Sequence, residues 1–269
     1  MQLVRCAGVW LLPRDPKAAA VELFASARVS ALVPAADDWI YAVATNEIRR
    51  LRWRGQAFEV DPEALRLVPM FDAVWHDGAL WASIDGGGVF RMAALERWPT
   101  PAIARFGVSE GVADGRATFA VDTRGLLVFA QGQPLHLAGD RFVPVSWFPA
   151  DLSLDRLTAA GQGRYWASRD QVGVRKLSLR PDGQYVVNAD PLARFRYPAR
   201  QVHVDADGTL WLGDDRGLLL CETKIAEAGE IELVATAKDD GGRTSQAASS
   251  VWVTRQGELW FGGENHDRI

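Results

Sequence analysis

The feature that most constrains the fold of this chain is a repeated unit, seen most clearly from Val202 to Cys221. Its sequence, VHVDADGTLWLGDDRGLLLC, holds three short apolar segments separated by two polar turns. Asp and Gly favour tight turns because of the backbone angles they adopt, and alternating apolar residues suit a half-buried strand. The unit therefore predicts three successive strands joined by tight turns.

Related units recur along the whole chain. They include VWHDGALWASIDGGGVFRM from Val74, LTAAGQGRYWASRDQVGVRKL from Leu157 and VWVTRQGELWFGGENH from Val251. The positions that align with the central tryptophan lie 38 to 49 residues apart, and they are Tyr41, Trp81, Val128, Trp166, Trp211 and Trp260. A period of about 40 to 50 residues is typical of one four-stranded propeller blade. We expect the aligned tryptophans to pack between neighbouring sheets.

We predict one all-β domain over residues 1–269, a six-bladed β-propeller of four-stranded antiparallel blades. Five complete units are expected at residues 29–69, 70–108, 113–150, 153–190 and 199–237. The N-terminal segment, with strands predicted at 1–12 and 17–27, and the C-terminal segment from Ser249 each hold half a blade. Their pairing in one sheet would close the ring and leave no exposed strand edge. A seven-bladed ring is the alternative.

Composition and charge exclude several classes of partner. The net charge is −4 with acids and bases interspersed, so no broad basic face is expected to bind nucleic acid. No apolar run reaches about 18 residues, so we expect no membrane insertion, and the first residues lack the pattern of a secretion signal. Cys6 and Cys221 lie in apolar strand-like segments, which favours two buried thiols over a disulfide. No Cys/His spacing indicates zinc, and no cofactor or metal is expected.

The units resemble the two-component regulator propeller repeat, found in extracytoplasmic sensor regions of bacterial signalling proteins. VHVDADGTLWLGDDRGLLL from Val202 carries the core phrase of that repeat, and the segments Lys238–Gly263 and Ser109–Ala130 carry versions with its lead-in. The resemblance implies a non-catalytic sensing or interaction propeller, and a periplasmic location if the chain is part of a sensor protein. The family more often builds seven-bladed rings, whereas this sequence shows six units.

The turns after the tryptophan strands and the connections between blades are expected on one face, around the central channel. Polar residues gather there, and convergent polar groups at such a mouth favour binding of a small polar molecule. The candidate ligand-binding residues are Asn46, Asp85, Arg169, Asp214, Arg216, Glu264 and His266. Their neighbours on the same face are Glu47, Asp170, Asp215 and Asn265, with Arg116 and Arg243 on longer connections. No catalytic residue is assigned.

Metal-dependent enzymes are the first alternative. Glu264 and His266 follow the strand GELWFGG, which is similar to a strand of virginiamycin B lyase, a propeller enzyme that uses a divalent metal. A calcium-dependent lactonase would instead use oxygen ligands such as Asp85, Asp214, Glu264 and Asn46. The segment DADGTLW resembles a sialidase Asp-box, but no arginine triad or nucleophilic tyrosine pattern accompanies it.

A protein-docking scaffold is the second alternative. The longest polar stretch, Ala237–Ser250, could serve as a lid, a docking loop or a disordered connector. A ligand bound in the channel would favour sensing, whereas a large exposed apolar patch would favour docking.

Overall fold

The computed structural model describes the backbone of residues 2–6, 8–12, 21–26, 29–54, 57–159, 163–169 and 173–188, and that of six further strands between residues 201 and 263. Side chains are described for residues 9, 21–26, 29–54, 57–159, 163–169, 174–188 and 204. The chain divides into two compact units, residues 1–131 with 135–143, and residues 132–134 with 144–269.

Four antiparallel sheets follow one another in the N-terminal half. The first has three strands, β1 (Gln2–Cys6), β2 (Gly8–Leu12) and β3 (Val21–Ala25). The second has β4 (Val29–Pro34), β5 (Trp39–Ala44), β6 (Glu47–Trp53) and β7 (Phe58–Val60), with β8 (Leu65–Arg66) also paired to β6. The third has β9 (Met70–His76), β10 (Ala79–Ile84), β11 (Val89–Ala93) and β12 (Ala102–Phe106). The fourth has β13 (Ala117–Asp122), β14 (Gly125–Ala130), β15 (Gln133–Ala138) and β16 (Arg141–Pro144).

Three further sheets follow. They comprise β17 (Arg156–Ala159), β18 (Arg164–Arg169), β19 (Gly173–Leu179) and β20 (Tyr185–Val187), then β21 (Gln201–Val204), β22 (Leu210–Asp214), β23 (Gly217–Cys221) and β24 (Glu232–Ala235), and finally β25 (Ala248–Val253) with β26 (Leu259–Gly263). The helical structure in the described residues is two short 3-10 turns, Leu95–Arg97 and Val108–Glu110. No helix there is long and apolar enough to cross a bilayer.

The prediction of an all-β chain with four-stranded antiparallel sheets is confirmed. Each of the five complete units expected from the repeat contains one such sheet, with the short strand β8 added to the second. The N-terminal segment differs from expectation, because residues 2–12 form the hairpin β1–β2 rather than one strand. The number of blades and closure of a ring by the terminal strands stay predictions.

The residues that align with the repeat tryptophan lie on the second strand of their sheets, where period-two alternation turns successive side chains to opposite faces. Tyr41 and Trp81 are each only 3% exposed. Tyr41 packs with Leu80 and Met92 of the third sheet, and Trp81 packs with Phe142 of the fourth. Packing between neighbouring sheets is therefore confirmed for both residues.

The alignment of Val128 with these residues is wrong by one position. Val128 lies in the cluster of Trp81, so it faces the preceding sheet, whereas Trp81 itself faces the following one. Alternation along β14 puts Leu127 and Phe129 on the other face, and one of these two buried residues is the true counterpart of Trp81. The sequence GLLVFA is apolar at every position after its glycine, so it contains no polar residue that would show which side chains face the preceding sheet.

Candidate ligand-binding site

The second, third and fourth sheets each have one end at which the turn between the second and third strands lies beside the connection to the next sheet. We call this the loop end. In the second sheet the turn at Thr45 and Asn46 accepts two backbone hydrogen bonds from that connection, Leu67 N to Asn46 O at 3.0 Å and Met70 N to Thr45 O at 2.8 Å. The turn and the connection therefore form one hydrogen-bonded layer.

The structure brings two predicted site residues to the same connecting segment. Residues 67–69 bond on one side to the turn that carries Asn46, and on the other side Pro69 O accepts the backbone N–H of Asp85 at 2.8 Å. The side chains of Asn46 and Asp85 are both exposed to solvent. Their common position was expected from the repeat, and the shared backbone partner explains how it is maintained.

Asp85 is paired with an arginine from the next connection. Arg116 Nε donates to Asp85 Oδ1 at 2.8 Å, and the two side chains remain 56% and 44% exposed. The Arg116 guanidinium also lies over the ring of Phe71, 4.7 Å from its centroid, a geometry with a favourable cation–π interaction. Opposite charges and an aromatic ring thus meet at the loop end of the third sheet.

An aspartate beside this group ties two first strands together. The Asp72 carboxylate accepts the backbone N–H of Phe119 at 3.2 Å, so it joins β9 to β13. The backbone N–H of Asp72 donates to Ser83 Oγ at 3.0 Å, and this hydroxyl is buried. Asp72 therefore serves as a structural bridge below the exposed Asp85–Arg116 pair.

Glycines shape the turn that carries Asp85. Gly88 has φ +94°, and a Cβ there would lie 2.7 Å from the Phe106 carbonyl oxygen. Gly87 has φ +124° and packs against the backbone of Asp114, whose carbonyl oxygen accepts a hydrogen bond from Gln131 Nε2 at 2.9 Å. The turn must therefore stay narrow, since backbone from the following connection fills the space where side chains would point.

The connection from β12 to β13 has its own internal support. The Glu110 carboxylate accepts hydrogen bonds from Ser109 Oγ and from the backbone N–H of Gly107, both at 2.7 Å. The bond from Ser109 is the larger cause, and the bond from Gly107 the second, of a Glu110 pKa held below its ordinary value. The ionised carboxylate thus fixes the short helical turn that precedes Arg116.

Arg169 belongs to a separate group, in the second compact unit. Its guanidinium lies close to Gly132, and the hydroxyl of Ser153 donates to Gly132 O at 3.1 Å. The backbone N–H of Leu154 donates to the same oxygen at 3.0 Å. The turn at Gly132 and the connection after β16 thus repeat the layered arrangement seen at Asn46.

The structure describes only some of the remaining predicted site residues. Asp214 ends β22 and pairs with Gly217 in the ladder, which places it beside a turn as expected. Arg216, Glu264 and His266 lie outside the described residues, as do Asp170, Asp215, Asn265 and Arg243. Glu47 pairs with Arg49 at 3.2 Å. Among the described side chains, no group of three His, Cys, Asp or Glu could hold a metal ion.

Sequence reasoning missed two participants, Phe71 and Asp72. A signal for Asp72 was present, because a lone carboxylate interrupts the strand MFDAVWH close to its start. Phe71 carried no such signal, since an aromatic residue at that position is ordinary for a half-buried strand. What the described arrangement offers chemically is a cation, an anion and an aromatic face within reach of one polar ligand.

No family model matches the chain, and no curated protein matches it either. Solved structures do resemble it. The extracellular domain of BT4673 from B. thetaiotaomicron, assigned to a hybrid two-component system, matches with a TM-score of 0.69 and 14% identity over 97% of this chain and 35% of that one. That of BT3049 from the same organism, also assigned to such a system, matches with a TM-score of 0.52 and 12% identity over 87% and 38%. The chain thus spans little more than a third of these proteins.

A third similar structure is the WD40 β-propeller domain of Doa1. It matches with a TM-score of 0.65 and 10% identity over 98% of this chain and 85% of that one. At such low identity the likeness concerns the fold alone. Together with the successive four-stranded antiparallel sheets, it shows that the chain has a β-propeller fold.

Proposed function

We propose that this chain is a non-catalytic sensing propeller of the two-component regulator type, which binds a small polar ligand at its loop ends. The observation that carries the proposal is the exposed pair Asp85–Arg116, held over Phe71 by two connections between sheets. A ligand with an anionic and a cationic or hydroxyl group would meet complementary partners there.

The energetics of this pair favour exchange with a ligand. An ion pair between half-exposed side chains contributes only about 0–1 kcal/mol to folding. Replacing one of its partners by a ligand group therefore costs little stability, while the surrounding backbone remains fixed by the hydrogen bonds of residues 67–69 and 107–112. A rigid frame with exchangeable polar groups suits binding more than it suits structural support.

The similar solved structures support the proposal that this chain is a sensor domain. Two of them are described as extracellular domains of hybrid two-component systems, and this chain would correspond to a part of such a domain. Binding would order the connections at the loop ends and so favour one state of an attached or associated partner. Such a signal requires that the two states differ in ligand affinity.

The test is a thermal-shift titration of the purified chain with neutral sugars, acidic oligosaccharides, amino acids and divalent ions, each with and without chelator. A ligand that binds the folded state raises the unfolding midpoint progressively with its concentration. Arg116→Ala and Asp85→Asn should each reduce that response, with at least a tenfold loss in affinity. The matched control is Arg54→Ala, because Arg54 and Glu59 form an ion pair of similar exposure at the opposite end of the second sheet.

The outcomes separate the alternatives. Equal loss of affinity in the control would show a general charge effect and remove the site assignment. Unchanged affinity in both Asp85 and Arg116 variants would do the same. A midpoint that falls on addition of chelator alone would favour the metal-dependent enzymes over a sensor, and no response to any compound would favour a docking scaffold.

A further inference from the structure

The third sheet ends in an unusually open strand. β12 (Ala102–Phe106) is its outermost strand and pairs only with β11 among the described residues. The five pairs from Val89–Phe106 to Ala93–Ala102 run without a register shift. An uninterrupted outer strand directs alternate backbone N–H and C=O groups away from the sheet, where a further strand can bind them.

Solvent reaches this strand along most of its length. Residues Ala102 to Arg105 are all exposed. Ile103 is 41% exposed, and Val108, two residues after the strand, is 62% exposed. Two large apolar side chains are thus presented to water within one seven-residue stretch, beside unpaired backbone groups. Native proteins usually protect such edges with short strands, proline, bulges or charges.

Other outer strands of the described sheets show those protections. β7 and β20 are three residues long, and β16 ends on Pro144. β3 has the same length as β12, but a bulge at Val9 and Trp10 interrupts its pairing, and its Phe24 lies under the guanidinium of Arg49. Among the described residues, β12 has no bulge, no internal proline and no covering side chain of this kind, and its one charged residue is Arg105.

The charge of this edge is one-sided. β12 contains Arg105 and no acidic residue. Within the described residues, no carboxylate pairs with Arg105. In the second sheet, by contrast, Arg50 and Arg54 are neutralised by Asp61 and Glu59 at 2.7 and 2.8 Å. The chain as a whole has a net charge of −4, so a basic edge is a local departure from its balance.

We propose that β12 is a docking site for an extended acidic peptide segment of a partner protein, bound by strand addition. Backbone hydrogen bonds to β12 would supply affinity, and alternate side chains would supply selectivity. Ile103 and Arg105 share one face of the strand, so the segment carries an acidic residue opposite Arg105 and an apolar residue opposite Ile103. This site is independent of the loop-end ligand site.

A second copy of the chain fits the edge less well. Antiparallel pairing of two β12 strands about Ala104 would set each Arg105 opposite Ile103 of the other copy. Neither guanidinium would then meet a carboxylate, and the two would lie diagonally across the same face, about 7–8 Å apart by the usual spacing of such neighbours. A segment with an acidic residue opposite Arg105 and an apolar residue opposite Ile103 makes a favourable contact with both side chains. We therefore propose such a segment, and not a second copy, as the partner of β12.

The test uses the full chain and labelled, end-capped pentapeptides Thr-X-Thr-Z-Thr, in which X and Z are each Glu, Lys, Gln or Val. Fluorescence polarisation gives the affinity of each. An antiparallel peptide places X opposite Arg105 and Z opposite Ile103, so the peptide with Glu at X and Val at Z should bind tightest. Replacing the Val at Z by Pro should abolish binding, because the backbone groups of Ile103 point away from β11 and the N–H of the residue opposite Ile103 therefore faces β12; Pro removes this donor.

Two variants and a matched control complete the design. Arg105→Glu should weaken the Glu-Val peptide at least tenfold and make the Lys-Val peptide the preferred one. Ile103→Lys should weaken the Glu-Val peptide similarly. Val121→Lys adds the same charge at an exposed position of β13 and should leave the affinity for the Glu-Val peptide unchanged. Circular dichroism of each variant checks that the sheet content is retained.

The proposal fails if no acidic peptide binds the wild-type chain, or if Arg105→Glu leaves the preference for Glu over Lys unchanged. It also fails if sedimentation shows that the chain self-associates through β12, with dimers lost in Ile103→Lys, because the occupant is then a second copy. Tight binding of the Glu-Val peptide with reversal of preference in Arg105→Glu supports it.

Discussion

Replacing Trp81 tests the packing of the repeat most directly. Its indole is 3% exposed and packs against the rings of Phe106 and Phe142, with centroids 5.6 and 6.1 Å away. Truncation of a buried tryptophan to alanine costs about 3–5 kcal/mol, through lost burial and a residual cavity. At about 2–4 °C per kcal/mol for a domain of roughly this size, Trp81→Ala should lower the midpoint by about 6–20 °C.

A second substitution separates packing from polarity at the same site. The indole Nε1 of Trp81 is buried and has no hydrogen-bond partner among the described residues, and an unpaired buried donor costs about 1–3 kcal/mol. Trp81→Phe removes that donor and keeps an aromatic ring, so it should be much milder than Trp81→Ala. It should cost at least about 1 kcal/mol less than Trp81→Ala, because the phenyl ring fills part of the cavity and no unpaired donor remains.

Urea unfolding followed by far-ultraviolet circular dichroism measures both effects, since 11 tryptophans would obscure a single fluorescence change. Val121→Ala is the control, because this exposed side chain of β13 should contribute within about 0.5 kcal/mol. A Trp81→Ala midpoint close to that of the control would refute the packing argument. Equal destabilisation by Phe and Ala would instead refute the role given to the unpaired indole nitrogen.

Three further predictions concern backbone and charge. Gly111→Ala should cost more than 1 kcal/mol, because Gly111 has φ +91° and its new Cβ would collide with the Phe142 carbonyl, whereas Gly78→Ala, with φ +68° and open space, should be milder in the same unfolding assay. Because the pKa of Glu110 is lowered in the folded state, its ionised carboxylate contributes stability above the ordinary glutamate pKa, and this contribution is lost as pH falls through the folded-state pKa. Glu110→Gln should therefore make stability less dependent on pH in the acid range. Burial raises the pKa of Tyr41, and the Arg50 charge opposes this shift. The contribution of neutral Tyr41 to stability should therefore be complete below about pH 10 and be lost as pH rises through the raised pKa. A tyrosinate absorbance titration of the wild type, compared with Tyr41→Phe, checks this.

Much of the fold could be predicted because the repeat encodes it locally. The turns follow from Asp and Gly, and the strands follow from alternation between them, so the position of Trp81 on the second strand of its sheet is readable from a few neighbouring residues. The prediction was wrong where local information ran out. GLLVFA around Val128 is apolar on both faces, and only packing against Trp81 shows which way each side chain points.

The candidate site was predictable in position and only partly in composition. The repeat places Asn46 and Asp85 at loop ends, because a turn after the second strand has no other place to lie. It does not reveal that Arg116, 31 residues further on, reaches Asp85, nor that Phe71 supports the guanidinium. Such pairs depend on the path of a long connection, which no periodicity encodes.

Both proposed surfaces belong to the third sheet, yet they rest on different physics, and this makes them separable. At the loop end, Asp85 and Arg116 offer side-chain charges on a fixed backbone, so binding there should weaken steeply with salt. At β12 the backbone itself supplies most of the contacts, and Arg105 adds one charge. Salt should therefore reduce peptide binding to β12 only modestly, while the proline substitution in the peptide should abolish it. Ile103→Lys alters the edge at a side chain away from the Asp85 turn, so it should leave any loop-end ligand affinity unchanged.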